Sequence, residues 1–463
     1  MKEPAAPRRT IRLKRWHWIA VVLLLPFVGG IVAVKIRRHG LEKEIAREIA
    51  AIRARGEPVT LEELDAWYPK VPDAENGALV VTQALAMIRQ AAEGPGDSIA
   101  DVSDLFRQKP IPAEALARIR SAVMKYEPAE RMLHLAVKER AFRYPIELTN
   151  GFKTPLPHLS GIKNSAYLLS VKAGLSILDG DAGGATDALA TGLRTADSLT
   201  EEPVVIASLV RVASHLIICE RAAFCLTHGR FSHADLGRLE AALSEGSSAS
   251  NLFRAVLGER VNAMDFFHVI QNAEGYWKYA NSALLTGGVE PPWWHFKSLK
   301  SGAVFYAYKG LGNDVADKLH LVRSLTAFSD VFRQPPQERM VAMSNAVWNA
   351  LSAPGTGRYL VSQIALQALD KLAKRDLMLM ALHRTFRVAL ALEHFRLDSG
   401  GALPDSLDVL VPKHLAAVPA DPFTGQPLRY IRNGRGYVVY SVGENLTDEQ
   451  GAPKSDVPFI VEK

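Results

Sequence analysis

Residues 377–451 decide how the rest of the chain is read. They run LMLMALHRTFRVALALEHFRLDSGG over 377–401, LPDSLDVLVPKHLAAVPADPFTGQPLRY over 403–430 and LRYIRNGRGYVVYSVGENLTDEQG over 428–451. The first piece is a long apolar-faced helix pattern that stops at a glycine turn. The second is a connector marked by prolines, and the third is a hairpin pattern. Its expected pairing is Leu428–Arg432 with Tyr437–Ser441 across Asn433-Gly434-Arg435-Gly436, because asparagine-glycine supplies the positive φ of a tight turn. Residues 376–463 are therefore expected to form a small α+β unit, packed as a cap.

Upstream, residues 77–375 read as one helix after another. Periodic apolar runs fall at about 78–93, 112–139, 163–178, 182–199, 203–227, 232–244, 248–272, 315–332, 337–352 and 358–382. The runs 163–178 and 182–199, joined by Asp179-Gly180-Asp181, look like a helical hairpin of the tetratricopeptide kind, and the pair 203–226 and 233–243 could stack upon it. No second copy recurs at a fixed period, so an irregular α-helical array is expected rather than a solenoid.

The 463 residues hold 48% hydrophobic and 22% charged residues, as in a globular chain with ample core material. Much of the net charge of +6 flanks the apolar run Trp16–Val34, WHWIAVVLLLPFVGGIVAV, which points to a membrane. With no basic stripe interleaved with aromatics, nucleic acid is not an expected partner. Nineteen residues of helix span about 28 Å, close to a hydrocarbon core of about 30 Å. No small-residue cleavage site precedes Lys35, so the run reads as an uncleaved transmembrane signal anchor. The expected plan is a basic cytoplasmic tail over 1–15, the anchor over 16–34, and a juxtamembrane helix and connector over 35–76. The helical domain 77–375 and the α+β domain 376–463 follow. Within the connector, Thr60 and Glu63 form a capping-box signature for a short helix Leu61–Trp67. Cys219 and Cys225, on different faces of one helix, read as buried apolar residues rather than a disulfide.

The tail resembles the C-terminal domain of the major pseudopilins of bacterial type II secretion. The matching blocks are Leu390–Asp398 before a glycine turn, Leu403-Pro404, Leu410–Leu415, Pro419–Phe423 and Tyr437–Gly443. They cover about a sixth of the chain. The N-terminus departs from the pattern, since Lys14–Trp18 offers neither the processing glycine nor the early glutamate, and about 340 residues separate anchor from tail. The likeness thus implies the fold of the tail and an envelope setting, not assembly into a fibre. It also implies a calcium site in the loop after the final strand, where Glu444, Asn445, Asp448 and Asp456 offer hard oxygens. Asn445-Leu446 stands where the family tends to have aspartate-glycine, which removes a charge and the residue that lets the loop curl. The remainder resembles large membrane-anchored helical proteins of planctomycete-like bacteria, which implies location and fold but no chemistry.

Two stretches upstream carry candidate chemistry. Glu259, Asn262, Asp265 and His268, with Arg254 and Arg260, recur along one helix, where a carboxylate and an imidazole could share a metal or a proton; the alternative is a solvated or salt-bridged face. The aromatic segment 275–312 includes Trp277, Trp293, Trp294 and Tyr306 as candidates for a binding lip or a bilayer contact, against a loop packed on its own aromatics. His215 and His383 read as lone polar residues in apolar helices. No zinc, phosphate-loop, dinucleotide or hydrolase motif occurs. The expected function is a single-pass inner-membrane protein with its bulk outside the cytoplasm, a structural or interaction protein for other envelope proteins with a link to a secretion or pilus-like system. The alternative is a hydrolase-like enzyme with its site between helix 248–272 and the aromatic segment.

Overall fold

The computed structural model describes residues 15–93, 98–243, 247–269, 303–355, 359–367, 369 and 371–463. The chain is mainly helical with one small antiparallel sheet. Helix α1 spans Arg15–Ala54 without interruption. The expected anchor and the charged helix beyond it are thus one rod, and Pro26 does not break it. Among the described residues no helix is long and apolar enough to cross a membrane. Helix α2 occupies Leu61–Trp67, where the capping signature puts it: Thr60 Oγ accepts from the Glu63 N–H at 3.2 Å, while the Glu63 carboxylate reaches past the cap to accept from Val59 N–H at 2.8 Å.

Helices α3 (Gly77–Ala92), α4 (Ile99–Asp104) and α5 (Ala113–Ala136) lead into the hairpin α6 (His158–Leu178) and α7 (Ala182–Asp197). The turn between these two is built as its residues suggest. Gly180 takes φ +81°, and Asp181 caps α7 by accepting from Gly184 N–H at 2.8 Å. Helix α8 (Val205–His228) closes on both, and α9 (His233–Ala242) follows through a full Ser232/Asp235 capping box. The cysteines on α8 are free and buried, and burial raises both thiols, Cys225 to about 12.

A second layer is organised by α12 (Asn313–Val331). It packs against α1, α10 (Ser247–Val269), α11 (Ala303–Gly310), α13 (Pro336–Ser352) and α14 (Leu360–Gln367). Helix α10 approaches the α7–α8 connector so closely that a Cβ on Gly258 would lie 1.8 Å from the Pro203 carbonyl oxygen.

The tail begins with α15 (Leu372–Asp398) and ends in a sheet of order β1 (Arg429–Asn433), β2 (Gly436–Ser441) and β3 (Val457–Val461). The hairpin forms in the expected register, with Arg429 opposite Tyr440 and Arg432 opposite Tyr437, and the ladder runs one pair further into the turn. Asn433 pairs with Gly436, so Gly434-Arg435 is the turn and Gly434 supplies the positive φ of +59°. Strand β3, antiparallel to β2, was not foreseen. The tail packs closely on the helical array. One continuous apolar core runs from Leu61 through α6–α9 and α15 to Tyr437, Phe459 and Val461. Phe386 of α15 stacks on Phe459 with ring centroids 4.9 Å apart, and the same helix also meets α8 and α9.

Gly258→Ala should therefore cost at least about 2 kcal/mol, because the obstacle is backbone and cannot rotate away. Gly237→Ala on α9, with open space around it, should be neutral or stabilising by up to about 1 kcal/mol. Thermal melts of the two variants check the pair of signs.

Candidate functional site

The sequence candidates on α10 do not converge. The residue Glu259 is half-buried, but its carboxyl is enclosed and accepts the backbone N–H of Val205 at the start of α8; burial pushes it up to about 7. Asn262 is buried, and Asp265 is half-buried with Oδ2 beside Gly151. Arg254 pairs with Glu201 at 3.0 Å and lies over the Trp67 ring. Arg260, wholly buried, pairs with Glu57 at 2.9 Å. Only His268 faces open space. It lines a cavity of about 310 Å³ where α1, α10, α11 and α12 meet, with Glu42, Tyr308, Lys309, Asp314 and Lys318.

Inside that cavity the Lys318 amine lies 3.3 Å from His268 Nε2. The neighbouring Lys318 charge and partial burial lower the His268 imidazole, and burial lowers the Lys318 ammonium. Tyr308 gives its hydroxyl hydrogen to buried Asp317 at 2.7 Å, and Asp314 holds Arg38. An amine and an imidazole thus share the space while its tyrosine and one carboxylate are engaged elsewhere. Of the aromatic candidates, Trp277, Trp293 and Trp294 lie outside the described residues. Tyr306 falls within α11, but its side chain is outside them too.

The four calcium candidates of the tail each have their own partner. Glu444 pairs with Lys374 at 3.4 Å, and Asn445 Nδ2 donates to Glu449 at 2.8 Å. Asp448 accepts from Tyr440 at 3.0 Å and is ion-paired with Arg429. Asp456 is buried and accepts from Gly451 N–H at 2.7 Å, leaving Oδ1 without a hydrogen-bond partner. Among the described residues no group of three or more His, Cys, Asp or Glu is disposed to hold a metal. The loop nevertheless curls without its glycine. Leu446 itself takes φ +59°, and Asn445 Oδ1 accepts from Thr447 N–H at 3.1 Å to hold the turn.

A polar chain that sequence spacing did not reveal lies between α7, α8 and α15. Asp197 Oδ1 accepts from Arg211 Nε at 2.9 Å, Arg211 Nη2 at 2.6 Å and His215 Nε2 at 2.9 Å. With Nε2 donating, neutral His215 accepts at Nδ1, and His383 Nε2 donates there at 3.1 Å. His383 Nδ1 is then left as a buried acceptor without a partner. Burial lowers His215 despite Asp197, and lowers His383 further, with His215 adding to the effect. The chain includes no nucleophile and lies apart from the cavity; it ties α15 to the hairpin layer. A second histidine group, His233, His394 and His414 around Asp398, joins α9 to the end of α15 and the connector. No known protein family, curated protein or solved structure matches the chain.

Both buried histidines are neutral when folded and titrate near 6.5 when unfolded. Their folded values are lowered, so stability is level above that pH and falls as pH drops below it, by up to about 1.4 kcal/mol per unit for each group. In His383→Met the loss of melting temperature between pH 7.5 and 5.5 should be smaller than in the wild type. Equal losses would contradict the assignment.

Proposed function

We propose that the protein is a membrane-tethered scaffold, with the outer half of α1 in the lipid and the body outside the cytoplasm. One observation carries this reading. On α1, Leu24, Leu25, Phe27, Val28, Ile31, Val32 and Ile36 are 45–69% exposed, and none of the described elements covers them. The inner half of the same helix behaves oppositely: Leu41, Ile45 and Ile49 pack against Val315 and Leu319 of α12. Leaving that apolar run in water costs on the order of 10 kcal/mol, which a bilayer removes. The described side chains start at Leu24, so the full span rests on the sequence run Trp16–Val34, about 28 Å of helix. The basic residues before Trp16 favour a cytoplasmic N-terminus.

The working surface of such a scaffold is its helical body and tail, and its partners are other envelope proteins. The tail supports that setting through its helix followed by an antiparallel sheet, the arrangement expected of a pseudopilin-like domain. Its place in a secretion or pilus-like assembly follows from the same likeness.

In bacterial membranes the full chain should resist alkaline carbonate extraction, whereas a variant lacking residues 1–36 should be released. Protease added to spheroplasts should digest the body. Release of the full chain would overturn the tether, and protection of the body would overturn the orientation.

A further inference from the structure

Where α1 leaves its exposed apolar run, the body grips it at one corner. Arg37 donates to the Leu311 carbonyl at 3.1 Å and to Asn313 at 3.4 Å. Arg38 donates to the Lys309 carbonyl at 2.9 Å and forms a two-pronged pair with Asp314 at 3.0 and 3.4 Å. Gly312, at φ +71°, lies so close that a Cβ there would come 2.8 Å from Arg38 Cγ, so the chain turns directly against the helix. Two turns further on, Arg323 of α12 holds Glu44 at 3.0 Å and Glu48 at 2.8 Å. The corner therefore has a fixed height along α1.

That height is informative. Arg37 is three residues past Val34, about 4.5 Å along the axis. The interfacial layer beyond the hydrocarbon is about 5–8 Å deep on each side. Leu311, the tip of the corner, is 53% exposed although it is apolar. Exposed Lys35 and Arg37 stand at the same level, where cations meet lipid phosphates.

We infer that the Gly310-Leu311-Gly312 corner is a second membrane contact, with Leu311 seated at the headgroup–acyl boundary of a phospholipid surface and Lys35 and Arg37 among the phosphates. The body is then braced against the bilayer at two points rather than swinging on a stalk. This rests on the tether proposed above; it adds a contact that the tether does not require. A bilayer fits better than a protein groove because the leucine continues the apolar surface of α1 and is rimmed by cations.

The native cysteines are buried, so an environment-sensitive nitrobenzoxadiazole probe can be placed on Leu311→Cys, Phe27→Cys or Val409→Cys in the full chain. Each is reconstituted in vesicles of phosphatidylcholine and phosphatidylglycerol with nitroxide lipids. Position 311 should lose emission most to nitroxides near the headgroup, position 27 most to nitroxides deep in the chains, and position 409 to neither. Loss at 27 with none at 311 would overturn the brace and leave the tether standing. No loss at either would overturn both. A blue shift at 311 without nitroxide quenching would mean a protein covers Leu311, which also overturns the inference.

Discussion

The structure depends on covering α15 from all sides. From Leu372 to Glu393 the helix has buried side chains around its circumference, so it cannot lie on a surface. The hairpin layer covers part of it through α8 and α9, and β2 and β3 cover an adjoining part. Polar groups fasten both. Tyr437 donates its hydroxyl to the Ala389 carbonyl at 3.1 Å and lies 3.0 Å from Glu393, while His383 reaches His215 of α8. Arg339 joins buried Asp376 at 2.7 Å and ties the start of the helix to α13. A helix of this kind makes the tail and the array one body.

A second fastening joins α1 to that body. Glu57, just beyond α1, receives Arg260 at 2.9 Å, Arg333 at 2.7 Å and Arg55 at 3.2 Å. Removing Glu57 would strand the wholly buried Arg260, at a cost of about 3–5 kcal/mol. Together with the Arg38 and Arg323 pairs, it fixes the inner half of α1 in place. A rigid attachment of this kind transmits the position of the apolar half directly to the body.

Local signals in the sequence were legible where a few neighbouring residues decide the backbone. Thr60 and Glu63 placed α2 to the residue, and Asp179-Gly180-Asp181 placed the α6–α7 turn. The hairpin of β1 and β2 forms in the expected register for the same reason, with Gly434 of the Asn433-Gly434 pair taking the positive φ. β3 was missed: it is five residues long and carries Pro458, a residue that weakens a strand signal. Long-range chemistry was not legible. His215 and His383 are 168 residues apart, and Arg260 meets Glu57 across 203 residues, so neither pairing leaves a trace in spacing. The α10 stripe misled for the same reason: helical periodicity places its residues near one another, but the facing elements take each in a different direction.

The sharing of α15 is tested most directly by native-state hydrogen exchange on the intact chain. The amides of Tyr437–Ser441 in β2 and those in the middle of α8 should open with the same free energy and respond equally to added urea, as one cooperative unit does. If the β2 amides opened at markedly lower free energy while α8 stayed protected, the tail would be an independent unit and the account would be wrong.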